Sequence, residues 1–323
     1  MKYIGIDIGG TNIVAGLIEK KDNDYFVIKK ESCETRAKDG VENIENRIKN
    51  LYDKVLRKTN THSNDINWVG IGVAGSVNVE KGIVGYSSNL FIKNWKLKEN
   101  MENILKKRVV VLNDADAYAY GEFVAGSVRK ANNALVLTIG TGIGCGIIIN
   151  GSLYSSSNFA AGEVGHMIIE YNGRKCNCGK KGCFEAYASA TGLVNMTIEA
   201  VNKSQNPEEE YIFKLTKGLK RVSAKTAFDA KKNNDELGNQ IIKNYIGYLG
   251  TGITNLVNIF QPDKICIGGG VAMEGEYLLK MLREFVDENK YEVYPFKPVD
   301  ILRARNCDTA GIIGAVAIGE VKV

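Results

Sequence analysis

The stretch KYIGIDIGGTNIVAGLI, Lys2–Ile18, decides the fold. Ile4, Ile6 and Ile8 alternate along one face, Gly9-Gly10 interrupts them, and Ile13 to Ile18 resumes the apolar run, which predicts two strands joined by a glycine turn. The same figure returns in ALVLTIGTGIGCGIII, Ala134–Ile149, where Leu135 to Ile139 leads into Gly140-Thr141-Gly142 and then into Gly146 to Ile149. Two parts of the chain therefore begin alike. Between them, Trp68 to Val73 and Arg108 to Leu112 read as strands, and Val41 to Lys58 and Leu97 to Lys107 as amphipathic helices, an α/β alternation. Beyond Gly192 the pattern turns helical, with polar stretches at Lys203 to Glu210 and Lys231 to Glu236. A short strand, Lys264 to Ile267, then runs into Gly268-Gly269-Gly270, and a last helix covers Gly311 to Ile318. No Gly, Ser or Pro linker marks a boundary, so the division near residue 115 rests on the repeated hairpin.

Composition narrows the class. A chain of 323 residues with 44% hydrophobic and 24% charged residues builds a globular protein with a sizeable core, of two domains or one large α/β unit. Its 42 basic and 37 acidic residues are mixed along the sequence, so the net charge of +5 commits no face to a polyanion, and nucleic acid is not implied. Asp7 sits inside the first apolar stretch and no small-residue cleavage site follows, which argues against a secretory signal. The longest small and apolar run, Ala310 to Gly319, falls short of the ~18 residues that span a bilayer. Three of the seven cysteines crowd into eight residues, a pattern that suits metal binding in a reducing compartment better than disulfides. A cytoplasmic protein without membrane contact is expected.

Three glycine sites follow strands: Asp7-Ile8-Gly9-Gly10-Thr11, Ile139-Gly140-Thr141-Gly142 and Gly268-Gly269-Gly270. Glycine there lets backbone N–H groups approach phosphate oxygens, and Asp7 is placed to hold Mg²⁺ through water. Each alone is equally a tight turn; three together, two of them in repeated hairpins, favour a nucleotide. Gly70-Ile71-Gly72-Val73-Ala74-Gly75 matches the dinucleotide pattern, but no helical periodicity follows it, and no P-loop exists. Asp114 stands where the strand Val109 to Leu112 gives way to a helical stretch, Ala115 to Val124. A carboxylate there is either a helix N-cap or a base that accepts a proton from a substrate hydroxyl. His166, Cys176, Cys178 and Cys183 offer one imidazole and three thiolates, a closed tetrahedral set for structural Zn²⁺. Lys96 to Arg108 reads as a solvated helix face, Trp68, Trp95, Tyr118 and Tyr120 as packing residues, and Cys33, Cys145, Cys266 and Cys307 as small buried side chains. His62 carries no visible role.

These elements resemble the ROK family of sugar kinases and repressors. The matching segments are Asp7 to Thr11, Asn113-Asp114, Gly140-Thr141-Gly142, Glu163-Val-Gly-His166, Cys176-Asn-Cys178 through Cys183-Phe-Glu185, and Ile267 to Gly270, in order over nearly the whole chain. The resemblance implies the duplicated actin-like fold of the sugar kinase, Hsp70 and actin type, two α/β domains around a cleft. Residues 1–115 would form the small domain, to which the helix at about 311–323 returns, and 116–310 the large domain with the zinc loop. It implies glucokinase-like transfer from ATP, with its Mg²⁺, to the 6-hydroxyl of a free hexose, with ATP between the two hairpin turns. Asp114 would be the base; Asn89, Asn113, Glu163, His166 and Glu185 would bind the hydroxyls. N-acetylmannosamine or N-acetylglucosamine is the alternative substrate. ROK repressors carry a helix-turn-helix domain ahead of the first hairpin, whereas the first strand here starts at Lys2, so a kinase is expected. The expected assembly is a homo-oligomer, dimer or tetramer. Ala74 and Ser76 replace prolines frequent in the family, and Cys145 replaces a glycine.

Overall fold

A computed structural model describes residues 1–205, 207–208, 210–292 and 298–321. They form two compact units. The first gathers Met1–Val136, Gly146–Gly162 and the segment from Ala304 onward; the second gathers Leu137–Cys145 and Glu163–Arg303.

In chain order the first unit opens with β1 (Lys2–Ile8), β2 (Asn12–Lys21), β3 (Asp24–Glu34), α1 (Val41–Thr59), β4 (Ile66–Val73) and β5 (Ser76–Asn78). It continues with β6 (Ile83–Ser87), β7 (Ile92–Trp95), α2 (Leu97–Leu105), β8 (Val109–Asn113) and α3 (Asp114–Ala125). The main sheet runs β3-β2-β1-β4-β8, antiparallel across β3, β2 and β1 and parallel from β1 through β4 to β8. Two interleaved apolar sets in β1 serve two cores. Ile4, Ile6 and Ile8 join Ile44, Ile48 and Val55 of α1, whereas Tyr3 joins a cluster with Ile312, Ile313 and Val316. The second face of β1 is thin in side chains, because Gly5 lies so close to Ile312 O that a Cβ there would collide with it, so the strand reads as alternating although both faces are covered. Strands β5, β6 and β7 form a separate three-stranded sheet whose short segments carry no period long enough to read in the sequence. Strand β3 was likewise not expected: its one apolar run, Tyr25 to Ile28, is short, and the strand is mostly exposed, Phe26 and Ile28 included, as an edge strand can be.

The remaining elements are β9 (Ala134–Ile139), β10 (Ile143–Ile149), β11 (Ser152–Leu153), α4 (Glu185–Ala188), α5 (Ala190–Lys203) and α6 (Tyr211–Leu215). They end with α7 (Ala224–Lys232), α8 (Glu236–Phe260), β12 (Lys264–Gly268), α9 (Glu276–Asn289), β13 (Asp300–Arg303) and α10 (Ala310–Ala317). A second five-stranded sheet has the order β11-β10-β9-β12-β13. In the second unit α8 packs against α4, α5, α7 and α9. Its fully buried Tyr245 donates to Ala188 O at 2.9 Å, and its Gly252 gives way to the ring of Phe184. The residue just before Glu185 is thereby locked into the helical core.

Helix α10 packs on β1, β4 and α3. It comes so close to the sheet that a Cβ on Gly70 would collide with the backbone carbonyl of Ala315. Gly70 thus serves helix packing, and the nucleotide-like spacing from Gly70 to Gly75 leads into β5, with no helix. The expected second domain began at residue 116, but α3 packs in the first unit. Gly121 and Gly314 bring the α3 and α10 backbones together, leaving no room for a side chain. Residues 322 and 323 of the expected closing helix lie outside the described residues, as do Asn206 and Glu209 of the polar stretch after α5. No helix among the described residues is long and apolar enough to cross a membrane.

Candidate active site

The carboxyl ends of the parallel strands β1, β4 and β8 lie side by side in the first unit, with Asp7 level with Gly72 and Val73 level with Asn113. Ligands of open α/β sheets bind at such strand ends. Beyond β1 the turn is closed by Gly9 N donating to Asn12 O at 3.0 Å, and it is braced by the buried Thr35, whose hydroxyl donates to Gly9 O at 2.6 Å. Gly10 and Thr11 remain exposed. Asn89, also exposed, lies against this turn: a Cβ on Gly10 would sit 3.2 Å from its Cβ. After β4, Gly75 adopts φ +135, where any Cβ would press on Tyr86 O at 2.5 Å.

Asn113, not Asp114, is the N-cap of α3. Its Oδ1 accepts from Ala115 N at 2.8 Å and Asp116 N at 3.1 Å, while its Nδ2 donates to Gly75 O at 2.9 Å. One of the two Nδ2 hydrogens is left for another acceptor. Asp114 begins the helix proper and accepts from Ala115 N at 3.0 Å. Gly72 carries no side chain where the start of α3 passes, its Cβ position being 3.7 Å from the Asp114 Cα. Burial pushes the Asp7 carboxyl up to about 7, and the negative charge of Asp114 adds to the shift. Two carboxylates are thus gathered at the ends of β1 and β8, on either side of β4, an arrangement that a polyvalent cation or a proton would relieve.

In the second unit the Gly140-Thr141-Gly142 turn is tied to the start of α5: Ala190 N donates to Gly140 O at 2.8 Å and Thr191 Oγ1 to Thr141 O at 2.8 Å. The Gly268-Gly269-Gly270 turn abuts the end of β9, since a Cβ on Gly269, at φ +83, would stand 2.5 Å from Ile139 O. No atom approaches within 4 Å of where a Cβ would lie on Gly140 or Gly270, so both backbones face open space. Glu185, at the start of α4, accepts from Ile143 N at 2.8 Å, and Gly142 leaves room for its carboxylate. The other Glu185 oxygen lies 3.8 Å from Cys176 Sγ. His166 has Nδ1 3.9 Å from Cys176 Sγ and Nε2 3.9 Å from the exposed Glu163 carboxylate. Glu163, His166, Cys176 and Glu185 therefore form one connected row.

The ligand atoms of His166, Cys176, Cys178 and Cys183 all lie within 4.8 Å of one another. A tetrahedron with zinc–sulfur arms of ~2.3 Å has sulfur–sulfur edges of about 3.8 Å. Cys178 and Cys183 are 3.6 Å apart, so the donor set fits zinc in chemistry and in spacing. The loop is shaped by Gly179 at φ +88 and Gly182 at φ +79, and Cys176 N donates to Lys180 O at 2.8 Å. With thiols alone in the cluster, burial pushes Cys183 up to about 12.

Residues 3–321 match the model of the ROK family. The chain belongs to the ROK family. It is 32% identical to the glucokinase of Thermotoga maritima over 322 residues, 98% of this chain and 97% of that one. It is 30% identical over 268 residues to the xylose repressor of Caldicellulosiruptor bescii, covering 83% of this chain and 66% of the repressor. The crystal structure of a ROK glucokinase from Streptomyces griseus, in complex with glucose and AMPPNP, superposes with a TM-score of 0.84 at 28% identity, over 98% of this chain and 99% of that one. The ROK chain thus has the actin-like sugar-kinase fold.

Two carboxylates inside the first unit escaped sequence reasoning. Glu122, fully buried, accepts from Ser127 N at 2.7 Å, Arg305 N at 3.1 Å and Asn306 N at 2.6 Å, which fixes the approach to α10. Glu45, also buried, accepts from Trp95 Nε1 and Asn100 Nδ2, each at 2.7 Å. Their partners lie up to 184 residues away in sequence, and no local pattern announces them.

Proposed function

We propose that this ROK chain is a hexose kinase that transfers the γ-phosphoryl group of ATP to the 6-hydroxyl of glucose. The observation that carries the reading is the placement of Asp114. It lies at the end of β8, where its charge acts on Asp7 across the end of β4, and the capping of α3 that would account for an aspartate there is done by Asn113. Asp114 accepts the proton of the 6-hydroxyl as the new O–P bond forms and the bond to the ADP leaving group breaks. Its weak basicity suffices, because positioning and charge neutralisation supply most of the rate in phosphoryl transfer. Asp7 holds the Mg²⁺ that accompanies the nucleotide through water, and the Gly9-Gly10-Thr11, Gly140-Thr141-Gly142 and Gly268-Gly269-Gly270 turns offer N–H groups to the phosphates.

Asn89, Asn113, Glu163, His166 and Glu185 orient the sugar through its hydroxyls. His166 is suited to two tasks at once: Nδ1 points to the thiol cluster and Nε2 to the Glu163 side. Zinc, held by His166, Cys176, Cys178 and Cys183, supplies a structural crosslink, because four protein ligands leave no open position for chemistry.

Glucose is favoured over its N-acetylated relatives by the glucokinases among the similar proteins. A site shaped for a hydroxyl excludes an acetamido group sharply, by a factor of about 10⁴ where buried polar groups are left unpaired. Competition of glucose against N-acetylmannosamine and N-acetylglucosamine at limiting ATP measures the ratio. Preference for either N-acetylated sugar would overturn glucose and leave the kinase standing; turnover of no sugar would overturn both.

A further inference from the structure

We propose that Tyr187 and Arg174 form a clamp that holds the cysteine loop and the sugar-facing Glu185 in place independently of any metal, so that both are positioning residues for the site. This rests on the sugar-kinase reading for its kinetic consequence alone; the clamp itself stands on geometry. Helix α4 spans four residues, Glu185–Ala188, too few to be stable without tertiary support. Glu185 at its first position is tied to Ile143 N, and its last residue is held by Tyr245 through Ala188 O. Tyr187, between them and 3% exposed, adds the tie to the loop stem. Its hydroxyl accepts from Arg174 N at 2.6 Å, at the stem of the loop two residues before Cys176.

The same arginine folds its guanidinium over the Tyr187 ring, 5.1 Å from the centroid, and pairs with Glu199 of α5. Tyr248 of α8 also stacks on the Tyr187 ring, at 4.4 Å between centroids and 28° between planes. Arg174, Tyr187 and Tyr248 thus join the loop stem to two long helices of the unit. Gly173 fits only because it lacks a side chain, since a Cβ there would collide with the Tyr187 hydroxyl. Arg174 O also accepts from Gly182 N at 2.8 Å, just before Cys183, so the stem closes both ends of the loop. A guanidinium stacked on a ring and a charge-assisted pair are each modest. The backbone N–H bonded to the tyrosine contributes more, because leaving a partly buried donor unpaired forfeits its full solvation.

The test uses Tyr187→Phe, which keeps the ring and removes the hydroxyl, and Arg174→Lys, which keeps the charge and the N–H but not the flat stack. Full-length protein is stripped with a chelator and digested with trypsin, and mass spectrometry follows cleavage after Lys175, Lys180 and Lys181 in the loop. Cleavage at these sites is expected to be roughly tenfold faster in Tyr187→Phe than in wild type, and about two- to fivefold faster in Arg174→Lys. Equal cleavage rates for wild type and both variants would overturn the clamp, whatever the protein phosphorylates. In metal-loaded protein, Tyr187→Phe is expected to raise the hexose KM about tenfold while kcat and the KM for ATP stay within about twofold. A parallel loss in all three constants together with a lowered Tm would show a merely structural tyrosine and overturn the positioning role.

Discussion

The titration of Asp7 gives the sharpest energetic expectation. Its carboxyl is raised from 3.8 to about 7, by burial first and by the charge of Asp114 second. An unfolded aspartate ionises near ~4, so between about pH 4 and pH 7 the unfolded chain has shed a proton that the folded chain retains. The folded state binds more protons, and stability therefore falls as pH rises through this window. A rise of roughly three units at 1.36 kcal/mol each sets a ceiling of about 4 kcal/mol, of which relaxation and nearby solvent leave about 2 kcal/mol. Asp7→Asn removes the ionisation altogether. In urea titrations without Mg²⁺, the variant is expected to be about 2 kcal/mol more stable than wild type at about pH 8. The gap should close as pH approaches ~4. Fluorescence suits the purpose, because the chain has two tryptophans and both Trp68 and Trp95 lie in the first unit. Asp114→Asn should flatten the wild-type slope by removing the repelling charge. If Asp7→Asn is no more stable than wild type under the alkaline condition, burial does not hold the Asp7 carboxyl in its neutral form.

Three further outcomes follow from the packing and the loop. Cys178→Ala should bind zinc far more weakly by metal analysis and raise the hexose KM, since the loop bearing Glu163 and Glu185 loses a tie. Gly70→Ala should lower unfolding stability by about 1–3 kcal/mol, toward the upper end because its collision is with the α10 backbone. It should leave the KM for ATP unchanged, whereas a nucleotide role for the Gly70 to Gly75 spacing would raise it. Trp95→Phe strips one of two donors from the buried Glu45 and should cost about 1–3 kcal/mol in urea unfolding; an unchanged midpoint would remove that bond from the stability of the first unit.

What could be read from the sequence follows physical range. The β1 and β9 hairpins were legible because alternation and a glycine turn are local signals. The candidate zinc ligands were legible because four soft donors fall close together along the chain, from His166 to Cys183, where a tetrahedral ion can gather them. The capping of α3 was half legible: a cap was visible at the strand end, but only the bonds from Asn113 to Ala115 and Asp116 show which of two adjacent residues performs it. The place of α3 was not legible, since its company with α10 depends on glycines at 121 and 314 meeting across the core. The same holds for Glu122 and for the Tyr187 ring, whose partners are set by tertiary folding.

Product analysis of one variant tests directly whether the chain transfers a phosphoryl group from ATP to a hexose hydroxyl with Asp114 as base. Wild-type and Asp114→Asn protein are incubated with glucose, ATP and Mg²⁺, and phosphorus NMR follows ADP and sugar phosphate together. The wild type is expected to form glucose 6-phosphate and ADP in equal amounts. The variant should bind glucose with little change and turn over about 10²–10⁴-fold more slowly. Retention of more than about a tenth of wild-type kcat would contradict the role of Asp114, and ADP released without a sugar phosphate would contradict the kinase itself.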